Sequence, residues 1–142
     1  MAVVVDANVL VVAATGDPRR VRAQSALRGW ADAGETLHAP ALLPYEFASS
    51  LTRLVEAGKL PAERVGPVWS SVRTLPVTYH LLQETAPRVV EIARQLGRQS
   101  AYDAAYLALA EQLQAVLWTF DGPLARNAAQ SGFAVQLLDA TG

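Results

Sequence analysis

Val3-Val4-Val5-Asp6-Ala7-Asn8-Val9-Leu10 sets a carboxylate into a largely apolar, β-branched run. Three consecutive valines suit a strand buried on both faces, as in a parallel sheet, because a strand with one wet face alternates apolar with polar residues. The run predicts a central strand with Asp6 near its carboxyl end. In open α/β sheets ligands bind just beyond those ends, so a carboxylate there has solvent and a ligand within reach. A plainer reading gives Asp6 and Asn8 only turn or helix-capping hydrogen bonds.

Outward from this strand the chain alternates helix and strand. After Leu10 a small-residue passage leads to Thr15-Gly16-Asp17-Pro18, where Asp17 is placed to cap a helix with Pro18 at its first position and Gly34 at its end. Arg19, Arg20, Arg22 and Arg28 give that helix a basic side, ordinarily a solvated face and alternatively a phosphate-facing one. Residues 36–39 read as a strand closed by Pro40. Residues 42–57 read as a helix with Leu43, Phe47, Leu51, Leu54 and Val55 on one face and Gly58 as its stop. Glu46 lies in its first turns, where the helix dipole favours an acid whatever its function.

Past Pro61, the spacing of Val65, Val68, Trp69 and Val72 predicts a helix that packs its tryptophan inward or against a partner. A third strand over 77–79 precedes a helix carrying Val89, Ile92, Ala93 and Leu96, with Pro87 in its early turns and Gly97 as its stop. Ser100-Ala101-Tyr102-Asp103 has the form of a capping box, aspartate replacing the usual glutamate, at the head of an alanine- and leucine-rich helix. Residues 116–120 suit a buried strand, Asp121-Gly122-Pro123 a turn and a new helix start, and residues 133–138 a last strand. Five strands alternating with helices predict an α/β domain with a mainly parallel sheet and right-handed crossovers.

A chain of 142 residues, 51% hydrophobic, can bury one real core and is expected to form one domain over residues 1–142. It has no cysteine, which excludes disulfides, thiolate zinc sites and a cysteine nucleophile. No apolar run reaches membrane-spanning length and the Met1 region lacks a signal-peptide pattern, so a cytoplasmic protein without membrane contact is expected. With a net charge of -1, any attraction to nucleic acid must come from local patches. All but one of the 12 basic residues are arginines, which hold phosphates in a two-pronged way that Lys59 cannot.

Asp6 and Asp121 follow buried strands, and Glu46 and Asp103 sit in first turns of helices able to point at the same sheet edge. Four converging carboxylates disfavour one another's ionised forms unless a cation lies between them. Oxygen-only ligation suits a hard ion such as Mg2+ or Mn2+. His38 and His80 fall outside the pattern.

Asp6 in VVVDANVL, Glu46 in PYEFASSL, Asp103 in SAYDAAYLALAEQL and Asp121 in LWTFDGPLAR resemble the acidic quartet of PIN-domain ribonucleases, in particular the VapC-type toxins of bacterial type II toxin–antitoxin pairs. The resemblance covers nearly the whole chain; its most specific part is residues 100–113 followed by Thr119-Phe120-Asp121. It implies a single PIN domain, a PIN-like three-layer sandwich, and Mg2+- or Mn2+-dependent hydrolysis of RNA phosphodiester bonds. Asp6 and Asp103 would be the principal metal ligands, Asp121 the next, and Glu46 a ligand or water orienter. Asn8 and Thr119 correspond to polar positions that support the metal site. The resemblance also implies a cognate VapB-like antitoxin and a homodimer. Trp118 and Phe120 are bulkier than the small residues common beside the last acid, a departure that bears on substrate access.

Two other readings share the opening strand and aspartate. An aspartyl-phosphate phosphatase needs a second aspartate two residues on, where this chain has Asn8, and a well-placed lysine, whereas Lys59 follows a helix stop. A receiver-type signalling module needs adjacent acids near the first strand and a lysine after the last, and has neither here. The RNA target is not written in a short motif, because structured RNA is read by shape and exposed loops.

Overall fold

The computed structural model describes residues 1–98 and 100–139. Its strands are β1 (Ala2–Val5), β2 (Thr36–Pro40), β3 (Val77–His80), β4 (Val116–Thr119) and β5 (Val135–Leu137). The helices are α1 (Ala7–Ala14), α2 (Arg20–Asp32), α3 (Leu43–Glu56), α4 (Val65–Arg73), α5 (Ala86–Gln95), α6 (Tyr102–Leu113) and α7 (Gly122–Gln130), with a 3-10 turn at Ala62–Arg64 before α4.

The strands form one sheet in the order β3-β2-β1-β4-β5, every neighbouring pair parallel. Val3 stands opposite Leu37 on one side and Val116 on the other. β1 is thus the central strand its valines predict, and Val3, Val4 and Val5 are all buried. Helices cover both faces of the sheet, giving the three-layer α/β sandwich. Strand order runs one way from β1 through β2 to β3 and then reverses to β4 and β5. The carboxyl ends of β1 and β4 therefore flank the switch point, the place where sheets of this kind open a crevice.

The main core joins the β1 valines and Leu117 to Phe47 and Leu51 of α3, Ile92 of α5 and Tyr106 and Leu107 of α6. A second cluster of Val9, Val12, Ala23, Phe120 and Leu138 sits against Trp30 and Trp118, whose rings lie 5.6 Å apart. Trp69 turns inward, 5.7 Å from Phe47. His38 Nδ1 and His80 Nε2 share a 2.9 Å hydrogen bond between the neighbouring strands β2 and β3.

Two local expectations are corrected, and one helix was not foreseen. The passage after Asp6 is a helix, α1, although its valines are poor helix formers; burial of Ala7, Val9, Leu10 and Val12 outweighs a propensity cost of a few tenths of a kcal/mol per residue, roughly. The basic helix starts at Arg20 and not Pro18: Asp17 accepts the Arg19 N–H through its side chain (2.8 Å) and the Arg20 N–H through its carbonyl (3.0 Å), so Pro18 and Arg19 form a turn ahead of it. Ser100 and Asp103 make no capping box, since α6 starts from Ala101 with no side-chain cap and Ser100 Oγ reaches only the Tyr102 N–H, at 3.4 Å. The stop signals hold: Gly34 (φ 74°) and Gly58 (φ 71°) take the left-handed backbone that ends α2 and α3.

Candidate active site

Asp6 is the first residue past β1, and its N–H still pairs with the Trp118 carbonyl at 3.0 Å, so the sheet itself fixes the residue at the switch point. It occupies the position before α1 but its side chain caps nothing. Its Oδ2 instead accepts from the Thr119 hydroxyl (2.8 Å) and the Asn8 side-chain amide (3.3 Å). Thr119, fully buried at the end of β4, also accepts from the Asn8 amide (3.1 Å) and the Asp121 N–H (3.0 Å), which uses its single donor and both lone pairs. Asn8 closes the network by accepting the Phe120 N–H at 3.0 Å. The plain capping reading therefore fails for Asp6 and Asn8: their bonds tie the end of β1 to the end of β4.

Asp121 does cap a helix, accepting the Leu124 N–H at the start of α7 through Oδ1 (3.0 Å). Glu46, in the first turn of α3, accepts a 2.6 Å hydrogen bond from the Tyr106 hydroxyl of α6. Asp103 enters from the first turn of α6. All four acids, with Asn8, line one cavity of about 750 Å³. Lys59 does not line it, and neither do Trp118 or Phe120. Trp118 packs on Trp30, while Phe120 lies beneath the Arg19 guanidinium at 4.8 Å, so the bulky pair adjoins the site without obstructing it. Arg19, Arg20, Arg22 and Arg28 also lie outside the cavity lining.

The electrostatics fit a site made for a cation. Burial, with added repulsion from Glu46 and Asp103, pushes the Asp6 carboxyl up to about 7 despite the Thr119 hydrogen bond. Burial likewise raises Glu46, whose ionised form Tyr106 and then Arg53 favour and Asp103 opposes. Asp103 is raised by burial and by Asp121, against the opposing charge of Arg98. Asp6, Glu46 and Asp103 are thus less readily ionised than usual for the same two reasons, and a divalent ion relieves both. Carboxylate oxygens are the donors that Mg2+ and Mn2+ prefer. Among the described residues no three acidic or histidine groups already stand together as a metal site, so coordination by three or more of the quartet requires side-chain movement from this arrangement.

The profile of the PIN domain matches residues 3–130. The chain belongs to the PIN-domain family. Two relatives refine its position: "VapC ribonuclease Mb0985" of Mycobacterium bovis and "Ribonuclease VapC9" of Mycobacterium tuberculosis are each 40% identical to this PIN domain over 89 residues, 63% of this chain and 68% of the relative. They place it with the VapC-type ribonucleases. In fold it is similar to the crystal structure of PAE2754 from Pyrobaculum aerophilum, with a TM-score of 0.67 at 22% identity over 89% of this chain and 79% of that one.

Some of the site was not anticipated from the sequence. Tyr106, almost fully buried, has its hydroxyl ionisation strongly suppressed by burial and by the charges of Asp6 and Glu46, so it serves Glu46 as a fixed donor. Its spacing of three residues from Asp103 puts both on one face of α6 and was the available signal. Tyr45, Ser49, Ser50, Arg53 and Tyr102 also line the cavity of this PIN domain, and nothing local in the sequence marks them as a group.

Proposed function

We propose that this PIN domain is the toxin of a type II toxin–antitoxin pair, an endoribonuclease that hydrolyses RNA phosphodiester bonds with Mg2+ or Mn2+ held by Asp6, Asp103, Asp121 and Glu46. The observation that carries the reading is the gathering of all four acids around one cavity at the β1/β4 switch point, with Asp6 pushed up to about 7. The names of the 40%-identical relatives support the ribonuclease and VapC assignments.

When bound, the ion supplies water activated as hydroxide near neutral pH and charge stabilisation for the leaving oxygen. The protein's own part is to hold and order the donors. Thr119 and Asn8 fix the Asp6 carboxylate through Oδ2 and favour its ionised form. Tyr106 does the same for Glu46, leaving that carboxylate to bind the ion or orient water. Asp121 is held by its cap to α7. Because Asp6, Glu46 and Asp103 resist ionisation, loading the ion releases protons and strengthens as pH rises.

The reading extends to a cognate VapB-like antitoxin that inhibits the enzyme, a homodimer, a cytoplasmic setting and a single domain over residues 1–142. No helix among the described residues is long and apolar enough to cross a membrane. Growth tests the toxin role. Induction of the chain is expected to arrest cells, and co-expression of the neighbouring small gene to rescue them. Harmless accumulation of folded protein contradicts it.

A further inference from the structure

The cavity carries more than its acids. Tyr45 and Tyr102 line it from separate helices, α3 and α6, and each directly precedes a cavity acid, Glu46 and Asp103. Both are strongly exposed, at 78% and 64%. A single exposed aromatic residue is ordinary. Two on one rim, each set beside an acid of the same site, form a pair of stacking surfaces. Arg53 is the one cation among the described residues that line the cavity. It follows Glu46 by two turns on the same face of α3, and its charge favours the ionised form of Glu46. Its guanidinium donates to Ser50 Oγ at 3.1 Å and forms no salt bridge among the described residues, so its charge is available to an anion.

A polyanion approaching four carboxylates gains little from long-range attraction, and the net charge of -1 adds none. Its binding must rest on contacts that this charge does not oppose. Base stacking on an aromatic face is such a contact, and an arginine fork on one phosphate supplies local charge where the acids leave off. We propose that Tyr45 and Tyr102 stack on the bases to either side of the scissile phosphate and that Arg53 grips a neighbouring phosphate. A base offers its face to a side chain only when it is splayed from its neighbours. The clamp therefore confines cleavage to unpaired nucleotides on both sides of the cut. This rests on the ribonuclease reading and adds to it the residues that select the substrate.

The test uses the full chain with Mn2+ and a single-stranded RNA pool of randomised sequence, its cut sites located by sequencing the ends. The best-cut sequence is then made intact, with an abasic nucleotide on either side of the cut, and annealed to its complement. The parent is expected to leave the duplex uncut and to lose about 5- to 100-fold in kcat/KM on each abasic RNA. Tyr45→Leu and Tyr102→Leu should lose similar factors on intact RNA, mainly in KM, and each should lose nothing more on the abasic RNA that lacks its own base. Tyr→Phe at either position restores binding, because the ring and not the hydroxyl stacks. Arg53→Gln should raise KM and flatten its dependence on salt. Both tyrosines are exposed, so the leucine variants keep the fold. If Asp6→Asn abolishes cleavage while both leucine variants keep the parent's KM and its abasic penalty, the clamp is wrong and the ribonuclease reading stands. If Asp6→Asn cuts the pool as the parent does, the ribonuclease reading falls and the clamp with it.

Discussion

Replacing Asp6 by asparagine tests whether the acidic cavity is strained by its own charge. The folded state holds the Asp6 proton up to about pH 7, against 3.8 for the ordinary group. The raised value means that the folded protein binds this proton more tightly than the unfolded chain, so metal-free stability falls as pH climbs from about 4 to about 7 and levels off above. Asparagine cannot ionise and escapes this loss. At about 1.4 kcal/mol per pH unit, the interval from pH 5 to the folded-state value near 7 widens the gap between variant and parent by about 2 to 3 kcal/mol. Altered hydrogen bonds to Thr119 and Asn8 add an offset in either direction, but one that does not vary with pH over this range. The informative quantity is therefore the change in the gap. Urea denaturation of parent and Asp6→Asn at pH 5, 6, 7 and 8 (roughly the window set by the two pKa values) in EDTA measures it. The variant should gain on the parent steadily up to pH 7. A gap independent of pH, or one that narrows, refutes the argument that burial and neighbouring carboxylates hold Asp6 protonated.

Asp103→Asn should leave the metal-free protein as stable as the parent or slightly more so, while abolishing the rise in melting temperature that Mn2+ gives the parent; an undiminished Mn2+ response removes Asp103 from the metal site. Thr119→Val keeps the shape but removes three hydrogen bonds from a fully buried position, and should cost about 1 to 3 kcal/mol by denaturation, since Asn8 and the Asp121 N–H lose a partner. The same change should raise the pH at which Mn2+ binding develops, because the Thr119 hydroxyl favours ionised Asp6. Light scattering at tens of micromolar (roughly where weak dimers assemble) should give the mass of a dimer, and a monomer there counts against the homodimer.

The sequence made β1 legible because a strand covered on both faces must be apolar throughout, and a mainly parallel sheet followed from strands alternating with helices, whereas the strand order needed the fold. The acids were legible for a related reason: a charge interrupting a greasy run, as Asp6 and Asp121 do, needs a purpose that burial cannot supply. α1 was hidden because Val9, Val11 and Val12 favour strands locally, and only packing against α2 and α3 makes them helical. Asp103 was ambiguous because SxxD matches a capping pattern; the true N-cap is Ala101, one residue after Ser100, which leaves that serine misplaced to cap the helix. The Tyr106 bond to Glu46 joins two helices far apart in sequence, and the cavity rim formed by Tyr45, Arg53 and Tyr102 depends on the same juxtaposition. Such contacts belong to the tertiary fold and leave no periodic trace.

On the proposed reading, the four acids direct hydrolysis of RNA by water with the help of a divalent ion. Cleavage of the single-stranded RNA pool in 18O-labelled water, with Mn2+ or with EDTA, tests it most directly when parent and Asp6→Asn are purified side by side. The parent with Mn2+ should produce cut ends whose new phosphate carries the label, cutting should cease in EDTA, and Asp6→Asn should be inert in both. Unlabelled 2′,3′-cyclic phosphate ends, or equal cutting by parent and variant in EDTA, contradict the claim.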